Sequence, residues 1–288
     1  MIDDTPNVPH FYDNNTRRFL RLGQNQRTRN IHQPLWTDKA QSLEEAVNQS
    51  NVLVLNEFRR VAEHFPNQHL QIVDLGCGVG SSLFYLGEHI KGDVSLTGIS
   101  NSPLQVKLAK RFCAKESGGA NCQFILGDYL NLPVLPTAHL AYAIESFLHA
   151  QSAKRFFESV AKTLAPKARL VIIDDFLTER GEHPSLPAKH EDWLADFRSG
   201  WLAGSLITED AATTLASNSG LRFVESEDLT PQMKLGRPRD RVIGLMRTLA
   251  APQMRRSTYF RALNGGYAKQ QCLKHGLVQY RRLVFEAE

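Results

Sequence analysis

Cysteine is scarce in this sequence, and its few copies form no pattern. The four cysteines among 288 residues show no paired spacing, so we expect neither a zinc site nor a disulfide framework. No apolar run approaches the roughly 20 residues that a membrane-spanning helix needs, and the first residues lack the basic and apolar regions of a secretory signal. These absences favour a cytoplasmic protein with reduced thiols and without a membrane span.

A strong charge of either sign is also missing. Lysine and arginine total 34, and aspartate and glutamate total 30, which gives a formal net charge of +4. That value is too small to indicate a nucleic-acid partner. Hydrophobic and charged contents of 42% and 22% are ordinary for a globular protein, and the length fits one large α/β domain or a domain with a cap.

The most informative segment that the sequence does contain is a glycine-rich run. Asp74-Leu75-Gly76-Cys77-Gly78-Val79-Gly80 follows an apolar stretch and precedes residues that suit a helix. This order predicts a strand, a tight loop and a helix. Glycines in such a loop adopt backbone angles that other residues resist and let a ligand approach the main chain, while the helix N-terminus offers unpaired N–H groups.

This run resembles the first motif of class I S-adenosylmethionine (SAM)-dependent methyltransferases. The alternative is the dinucleotide-binding loop of an oxidoreductase, for which Gly-x-Gly-x-x-Gly is typical. The resemblance implies SAM as the cofactor, with Asp74 near its ammonium group. It also implies that the loop backbone surrounds the methionine part of SAM, through Gly76, Cys77, Gly78 and Gly80.

The rest of the chain alternates between strand and helix patterns, which predicts a mostly parallel sheet covered on both faces. We expect an α/β fold with a Rossmann-like seven-stranded sheet and a mainly helical cap. Residues 1–68 are predicted to form an N-terminal helical cap segment, residues 69–229 the SAM-binding core, and residues 230–288 a helical cap insertion with the final strand. Further strands are predicted over residues 94–100, 122–126, 140–144, 170–173, 223–226 and 278–285.

Two further motifs follow predicted strands, at the edge of the sheet where ligands bind in this class of fold. The segment from Gly98 to Gln105 resembles a variant found in the tocopherol, sterol and cyclopropane-fatty-acid branch of the family. There it implies that Ser100, Asn101 and Gln105 contact the ribose or adenosine, the alternative being a plain strand-to-helix turn. In Gly127-Asp128-Tyr129, we expect Asp128 to accept a hydrogen bond from the adenine amino group and Tyr129 to pack on the ring, unless Asp128 is only a turn residue.

The chemistry is predicted to lie in the segment after the fourth strand. Its Ile-Glu-x-x-x-His pattern, with Glu145 and His149, is similar to that of sterol C-methyltransferases and of several tailoring enzymes. Glu145 can act as a catalytic base; alternatively its carboxylate orders the SAM methionine or a neighbouring loop. His149 is either a second acid/base or a structural histidine that caps the following helix.

The resemblance favours C-methylation of an isoprenoid-like alkene, with Glu145 deprotonating a carbocation. The first alternative is N- or O-methylation of an amine, phenol or carboxylate natural product, and a rival of another class is a non-catalytic SAM-binding protein. The expected partner is a small-molecule acceptor, and a homodimer is left open.

Several residues are candidates for binding that acceptor, although Trp36 can equally belong to the core of the cap. Arg237 and Arg239 belong to a basic run that suits a diphosphate, or else a solvated helix face. Asp174 and Asp175 suggest a divalent metal, but the further ligands that Mg²⁺ needs are not evident, so no metal is expected. The other candidates for the acceptor site are Tyr12, His32, Phe147 and Tyr267.

Overall fold

The computed structural model describes residues 29–115, 121–236 and 258–288, together with Val8, Asp13 and Thr16. Seven strands and eight α-helices lie in the described part of the chain. In chain order they are α1 (Leu43–His64), β1 (Leu70–Leu75), α2 (Ser81–His89), β2 (Val94–Ser100), α3 (Pro103–Cys113), β3 (Cys122–Leu126), β4 (Ala138–Ile144), α4 (Ala153–Ala161), β5 (Leu164–Leu177), α5 (Glu179–Glu182), α6 (Ala188–Trp201), α7 (Glu209–Ser217), β6 (Leu221–Asp228), α8 (Thr258–Lys274) and β7 (Val278–Ala287).

The strands form one seven-stranded sheet in the order β3-β2-β1-β4-β5-β7-β6. The first five are parallel to one another, and β7 runs antiparallel between β5 and β6. Apolar side chains form a core on each face of the sheet, and every residue of β1 is buried. The predicted fold class is therefore confirmed: an α/β fold with a mostly parallel sheet and helices on both faces.

Strand β5 differs most from its sequence-based prediction. It spans Leu164–Leu177, whereas the apolar pattern predicted only residues 170–173. Ala165 and Pro166 therefore lie in the strand. Asp174 and Asp175 are paired inside the strand with Arg281 and Tyr280 of β7, so they are buried by the neighbouring strand and do not follow the strand as a loop.

The segment before α1 packs against the chain after β6. The N–H of Trp36 donates to the carbonyl of Gln232 at 2.7 Å, and Leu35 forms an antiparallel bridge with Met233. The domain boundaries predicted from the sequence stay a prediction. Within the described ranges, the helices are too short or too polar to cross a membrane.

Helices α6 and α8 cross at unusually close range because each presents a glycine to the other. A Cβ added at Gly200 would lie 2.6 Å from the carbonyl oxygen of Arg261 and 2.6 Å from the Cα of Gly265. Beside this crossing, the indole N–H of Trp201 donates to the carbonyl of Ala262 at 3.2 Å. The crossing therefore fixes the position of α8 against the sheet.

We expect Gly200→Ala to lower the free energy of unfolding by about 2 kcal/mol, since backbone atoms must move apart to accept the methyl group. Urea denaturation measures this. Gly266→Ala is the matched control, because a Cβ there meets nothing nearer than 3.6 Å. In a helix the control change stabilises by up to about 1 kcal/mol. Equal stabilities for Gly200→Ala and the wild type would contradict the close-packing account.

Candidate functional site

The glycine loop is tied to the end of β2. The N–H groups of Gly76 and Cys77 both donate to the carbonyl of Ile99, at 2.8 and 2.9 Å, and the N–H of Gly80 donates to the carbonyl of Cys77 at 2.9 Å. Gly76, Gly78 and Gly80 have φ values of 88°, 55° and 87°, which side chains resist. These bonds hold the loop in a single position at the carboxyl end of the sheet.

The three glycines of the loop serve different purposes. A Cβ at Gly76 would lie 2.5 Å from the Cβ of Ser146, and one at Gly80 would lie 2.6 Å from the ring of Phe124, whereas one at Gly78 meets nothing within 4 Å. Gly76 and Gly80 are thus required by packing. Gly78 faces open space, which is what close approach of a ligand to the backbone requires.

Within the described residues, backbone N–H donors that lack an acceptor lie around Gly78. In the described part of the chain, no acceptor is found for the N–H groups of Gly78 and Val79. Helix α2 begins after Gly80 without a side-chain cap, so its first N–H groups are open as well. A carboxylate fits among these N–H groups because the helix N-terminus adds a favourable dipole.

Asp74 lies at the end of β1, directly before the loop, and is buried. Its Oδ2 accepts a hydrogen bond from the hydroxyl of Tyr142 at 3.0 Å. Burial raises the pKa of Asp74 to about 7, although the bond from Tyr142 opposes this. A cation at this position would favour the ionised carboxylate. The thiol of Cys77 is buried nearby and donates weakly to the carbonyl of Gly78.

The end of β2 carries a network of polar side chains. The hydroxyl of Ser100 donates to Oε1 of Gln105 at 2.8 Å, and Nε2 of Gln105 donates to the hydroxyl of Thr16 at 3.4 Å. The carboxylate of Asp13 accepts from the hydroxyl of Ser102 at 2.5 Å. Asn101 is half-buried beside this network.

Asp13 and Thr16 belong to the Tyr-Asp-x-x-Thr segment near the N-terminus, but the sequence predicted no individual role for either residue. Asp13 also accepts from the N–H of Leu104 at 3.4 Å, so it helps to cap α3. A signal for them was present, since the segment containing Tyr-Asp-x-x-Thr resembles one that folds over the cofactor in small-molecule methyltransferases. The structure brings these two residues to the strand end that was expected to hold the ribose.

At the end of β3, Asp128 is exposed and its Oδ1 accepts from the N–H of Leu130 at 2.9 Å. Tyr129 requires a correction. Its ring is buried against Phe156, and its hydroxyl donates to the carbonyl of Ser146 at 2.8 Å. A ring held beneath the glycine loop in this way is not available to stack on an adenine, as the sequence had suggested.

Phe147 requires a second correction. We expected it to line the acceptor site, but its side chain is fully buried. The ring lies in an aromatic cluster of the core with Phe156, Phe157 and Phe176. Its position directly after Glu145 and Ser146 suggested proximity to the acceptor. The turn after β4 instead directs the ring into the core on the face of the sheet opposite to Tyr280.

Glu145 stands at the end of β4 with a φ of 51°, a left-handed conformation that costs a non-glycine residue about 1 kcal/mol. Its Oε1 accepts hydrogen bonds from the N–H of Gln33 at 2.5 Å and from the hydroxyl of Tyr280 at 3.0 Å. Burial raises the pKa of Glu145, which outweighs the opposing effects of Lys269, Gln33 and Tyr280. The strained backbone thus directs a half-buried carboxylate of raised pKa to the edge of the sheet.

Two more carboxyl groups and an ammonium group lie behind Glu145. Asp174 accepts from the N–H groups of Leu148 and Asp175 at 2.8 and 2.9 Å, and burial, with Asp175 adding to it, raises its pKa to about 8. The ammonium of Lys269, on α8, lies 2.5 Å from Oδ2 of Asp175. Among the described residues no cluster suited to a metal ion is found. Nothing in the sequence distinguished Lys269 or Tyr280 as members of this site.

The remaining candidates occupy different places. His149 is buried, and burial lowers its pKa to about 4 although the backbone of Leu202 and Trp201 opposes this, so it is a neutral imidazole at physiological pH. His32 lies 2.9 Å from the hydroxyl of Ser82 in the first turn of α2, and burial lowers its pKa to about 4 as well.

Trp36 lies under the ammonium of Lys234, which is 3.3 Å from the ring centroid. This contact joins the N-terminal segment to the chain after β6. Tyr267 is half-buried on α8. Tyr12, Arg237 and Arg239 lie outside the described residues.

We expect Asp74 to make stability fall as pH rises. Its pKa in the folded protein, about 7, exceeds the ordinary value of 3.8. Its contribution is therefore complete below about pH 4 and is lost as pH rises to 7 and beyond. In ligand-free protein, the free energy of unfolding of Asp74→Asn minus that of the wild type should increase by up to about 3 kcal/mol from pH 5 to pH 8. One pKa unit corresponds to about 1.4 kcal/mol.

Urea denaturation at several pH values measures this effect, with Asp192→Asn on the exposed surface of α6 as the control. Parallel loss of stability in Asp74→Asn and the wild type would show that Asp74 does not titrate in this range.

Comparison with known proteins places this site in a family. Residues 72–167 match the family described as "Methyltransferase domain". An O-methyltransferase of Pyrenophora dematioidea is 29% identical over 210 residues, which are 71% of this chain and 72% of that protein. A sterol 24-C-methyltransferase of Gibberella zeae is 23% identical over 56% of this chain and 41% of its own length. The cyclopropane synthase MmaA2 from Mycobacterium tuberculosis shares the fold, with a TM-score of 0.71 at 16% identity over 99% of both chains.

The matched segment contains the glycine loop, the ends of β2, β3 and β4, and Glu145. It therefore carries the glycine loop and the polar side chains at the carboxyl ends of the strands, where ligands bind in an open α/β sheet. Together with the fold, these matches identify the chain as a SAM-dependent methyltransferase that acts on small molecules.

Proposed function

We propose that this enzyme methylates a hydroxyl oxygen of a small-molecule acceptor, with Glu145 receiving the hydroxyl proton. The observation that carries the proposal is the placement of Glu145, a strained and half-buried carboxylate of raised pKa beside the cofactor loop. An acid with a pKa nearer neutrality is a more effective proton acceptor than an ordinary exposed glutamate.

The donor set around the glycine loop fits SAM. The N–H groups of Gly78 and Val79 and the first turn of α2 suit its carboxylate, and buried Asp74 suits its ammonium group. Ser100, Asn101 and Gln105 at the end of β2 are proposed to bind the ribose, and Asp128 at the end of β3 to bind the adenine. Bound SAM supplies an electrophilic methyl group, so the protein has mainly to orient the acceptor and receive a proton.

The N-terminal segment links the two halves of the proposed site. His32 contacts Ser82 in the first turn of α2, while the next residue, Gln33, donates to Glu145. The segment thus extends from the first turn of α2, beside the glycine loop, to the proposed base Glu145. We propose that it limits the access of water to this edge of the sheet, which strengthens electrostatic interactions in the site.

The charge around Glu145 favours oxygen over carbon as the methyl acceptor. C-methylation of an alkene generates a carbocation, which the buried ammonium of Lys269 disfavours, although Asp175 compensates part of its charge. A hydroxyl that loses its proton develops negative charge, which the same ammonium stabilises. This argument reverses the preference for an isoprenoid alkene that the Ile-Glu-x-x-x-His resemblance suggested.

Of the two curated relatives compared above, the O-methyltransferase is matched over more of its length. The chain spans 72% of the O-methyltransferase of Pyrenophora dematioidea and 41% of the sterol C-methyltransferase of Gibberella zeae. Diphosphate binding by Arg237 and Arg239 stays a prediction, because both residues lie outside the described part of the chain. The cytoplasmic location and the homodimer stay predictions.

Gly78→Ala should weaken SAM binding at least about tenfold, because its methyl group projects towards the space proposed for the cofactor while the protein around it has no atom within 4 Å. Isothermal titration calorimetry measures the affinity. Gly220→Ala is the matched control, since Gly220 also has a positive φ and open space but lies between α7 and β6. Unchanged affinity in Gly78→Ala would remove this loop from the proposed cofactor site.

Glu145→Gln should lower turnover about 100-fold or more while SAM affinity stays within a few-fold, since the amide keeps the shape of the side chain but accepts no proton. Turnover is assayed by mass gain on a panel of phenols, alcohols, amines and prenyl diphosphates. Glu182→Gln, at an exposed position on α5, is the control. Near-normal turnover would exclude Glu145 as the base, and a product methylated at carbon would exclude O-methylation.

A further inference from the structure

Lys269 is a buried ammonium on a helix far along the chain from the other proposed site residues. It is 3% exposed, and its Nζ lies 2.5 Å from Oδ2 of Asp175. The rings of Trp201 and Tyr280 flank it, with centroids 5.9 and 5.5 Å away. Burying a lysine is costly unless its charge is compensated, so the position requires an explanation.

The ionisable groups around Lys269 come from four elements. Three of them are carboxyl groups: Glu145 after β4, and Asp174 and Asp175 on β5. The other two are His149, in the turn after Glu145, and Tyr280 on β7. Buried carboxyl groups in such proximity tend to be protonated, because each negative charge disfavours the next.

Each carboxyl group of the cluster has different partners, and Oδ1 of Asp175 has no hydrogen-bond partner among the described residues. Asp174 accepts two backbone N–H bonds, Asp175 is paired with the ammonium, and Glu145 accepts from Gln33 and Tyr280. Burial lowers the pKa of Lys269, but Asp175 and Glu145 outweigh burial and the pKa lies above its ordinary value. The ammonium is therefore retained at neutral pH, and its field reaches Glu145.

We propose that Lys269 is a positioning residue for methyl transfer: anchored by Asp175, its ammonium keeps Glu145 in the carboxylate form that receives the acceptor's proton. The proposal rests on the proposed function, in which Glu145 is the base. Tyr280 assists by donating its hydroxyl to the same carboxylate oxygen as Gln33. The crossing of α6 and α8 at Gly200 and Gly265 holds the helix that brings Lys269 into place.

The proposal predicts a change in the pH dependence of kcat/KM for the acceptor, measured at saturating SAM. The acidic limb of that profile reports the base of the enzyme–SAM complex before the acceptor binds. In Lys269→Met the limb should move to higher pH by about one unit or more, since the loss of an opposite charge that acts on a carboxylate raises its pKa by about that amount. Activity lost at pH 7 should return at higher pH. Lys274→Met, at an exposed position on the same helix, should leave the limb in place.

Asp175→Asn separates an electrostatic role from a purely structural one. It removes a negative charge while the ammonium can still interact with Glu145, so the acidic limb should stay in place or move to lower pH. Tyr280→Phe removes one hydrogen bond and should move the limb upward by less than Lys269→Met does. Equal shifts in one direction for Lys269→Met and Asp175→Asn, or no shift in Lys269→Met, would overturn the proposal.

Folding of each variant is checked by SAM binding. Should Lys269→Met fail that check, Tyr280→Phe and Asp175→Asn decide the question. An upward shift in Tyr280→Phe, with no shift or a downward shift in Asp175→Asn, supports the proposal, and any other pair of results overturns it. Glu145→Gln distinguishes the two proposals. If this variant retains turnover, the proposed function fails. If it loses turnover and the acidic limb does not shift in Lys269→Met, only the proposal for Lys269 fails.

Discussion

The turn after β1 is the constraint on which the rest of the site depends. The chain must reverse direction within a space closed by Ile99 on one side and by Ser146 on the other. The two N–H groups of Gly76 and Cys77 share the carbonyl of Ile99, and no side chain fits at Gly76. Because the turn is held by its neighbours on both sides, the ends of β2 and β4 have fixed positions relative to it. The proposed cofactor and base residues inherit those positions.

Burial and charge oppose each other throughout this edge of the sheet. Asp74, Glu145, Asp174 and Asp175 all have pKa values raised by burial. Such groups weaken a fold unless they are compensated, and here hydrogen bonds from Tyr142, Tyr280 and the backbone compensate in part. The incomplete compensation is typical of functional sites, where ligands supply what the protein lacks.

The sequence predicted best what local patterns control. Strands β2 and β3 were predicted with the bounds that the structure has, because each is a short apolar run closed by turn residues. The length of β5 was missed: residues 174–177 pair with β7, more than 100 residues later, and Leu164 pairs with Ala138 of β4. No local signal contains that pairing.

The candidate site divides in the same way. The glycine loop, Asp74 and Glu145 belong to contiguous motifs and lie together at the carboxyl ends of the strands. Tyr129 and Phe147 were placed wrongly, because a position in a motif does not tell which face of the sheet a ring reaches. Lys269 and Tyr280 were missed because tertiary packing alone brings α8 and β7 to Glu145.

The position of β7 has a consequence for how the enzyme is made. Residues 278–287 follow β6 in the sequence but lie between β5 and β6 in the sheet. During translation, β5 and β6 emerge first and have no direct partner in each other, so the growing chain holds an unfilled gap until the later strand inserts. Since that strand also carries Tyr280, a ribosome-bound chain that lacks it has the cofactor loop but an incomplete partner set for Glu145.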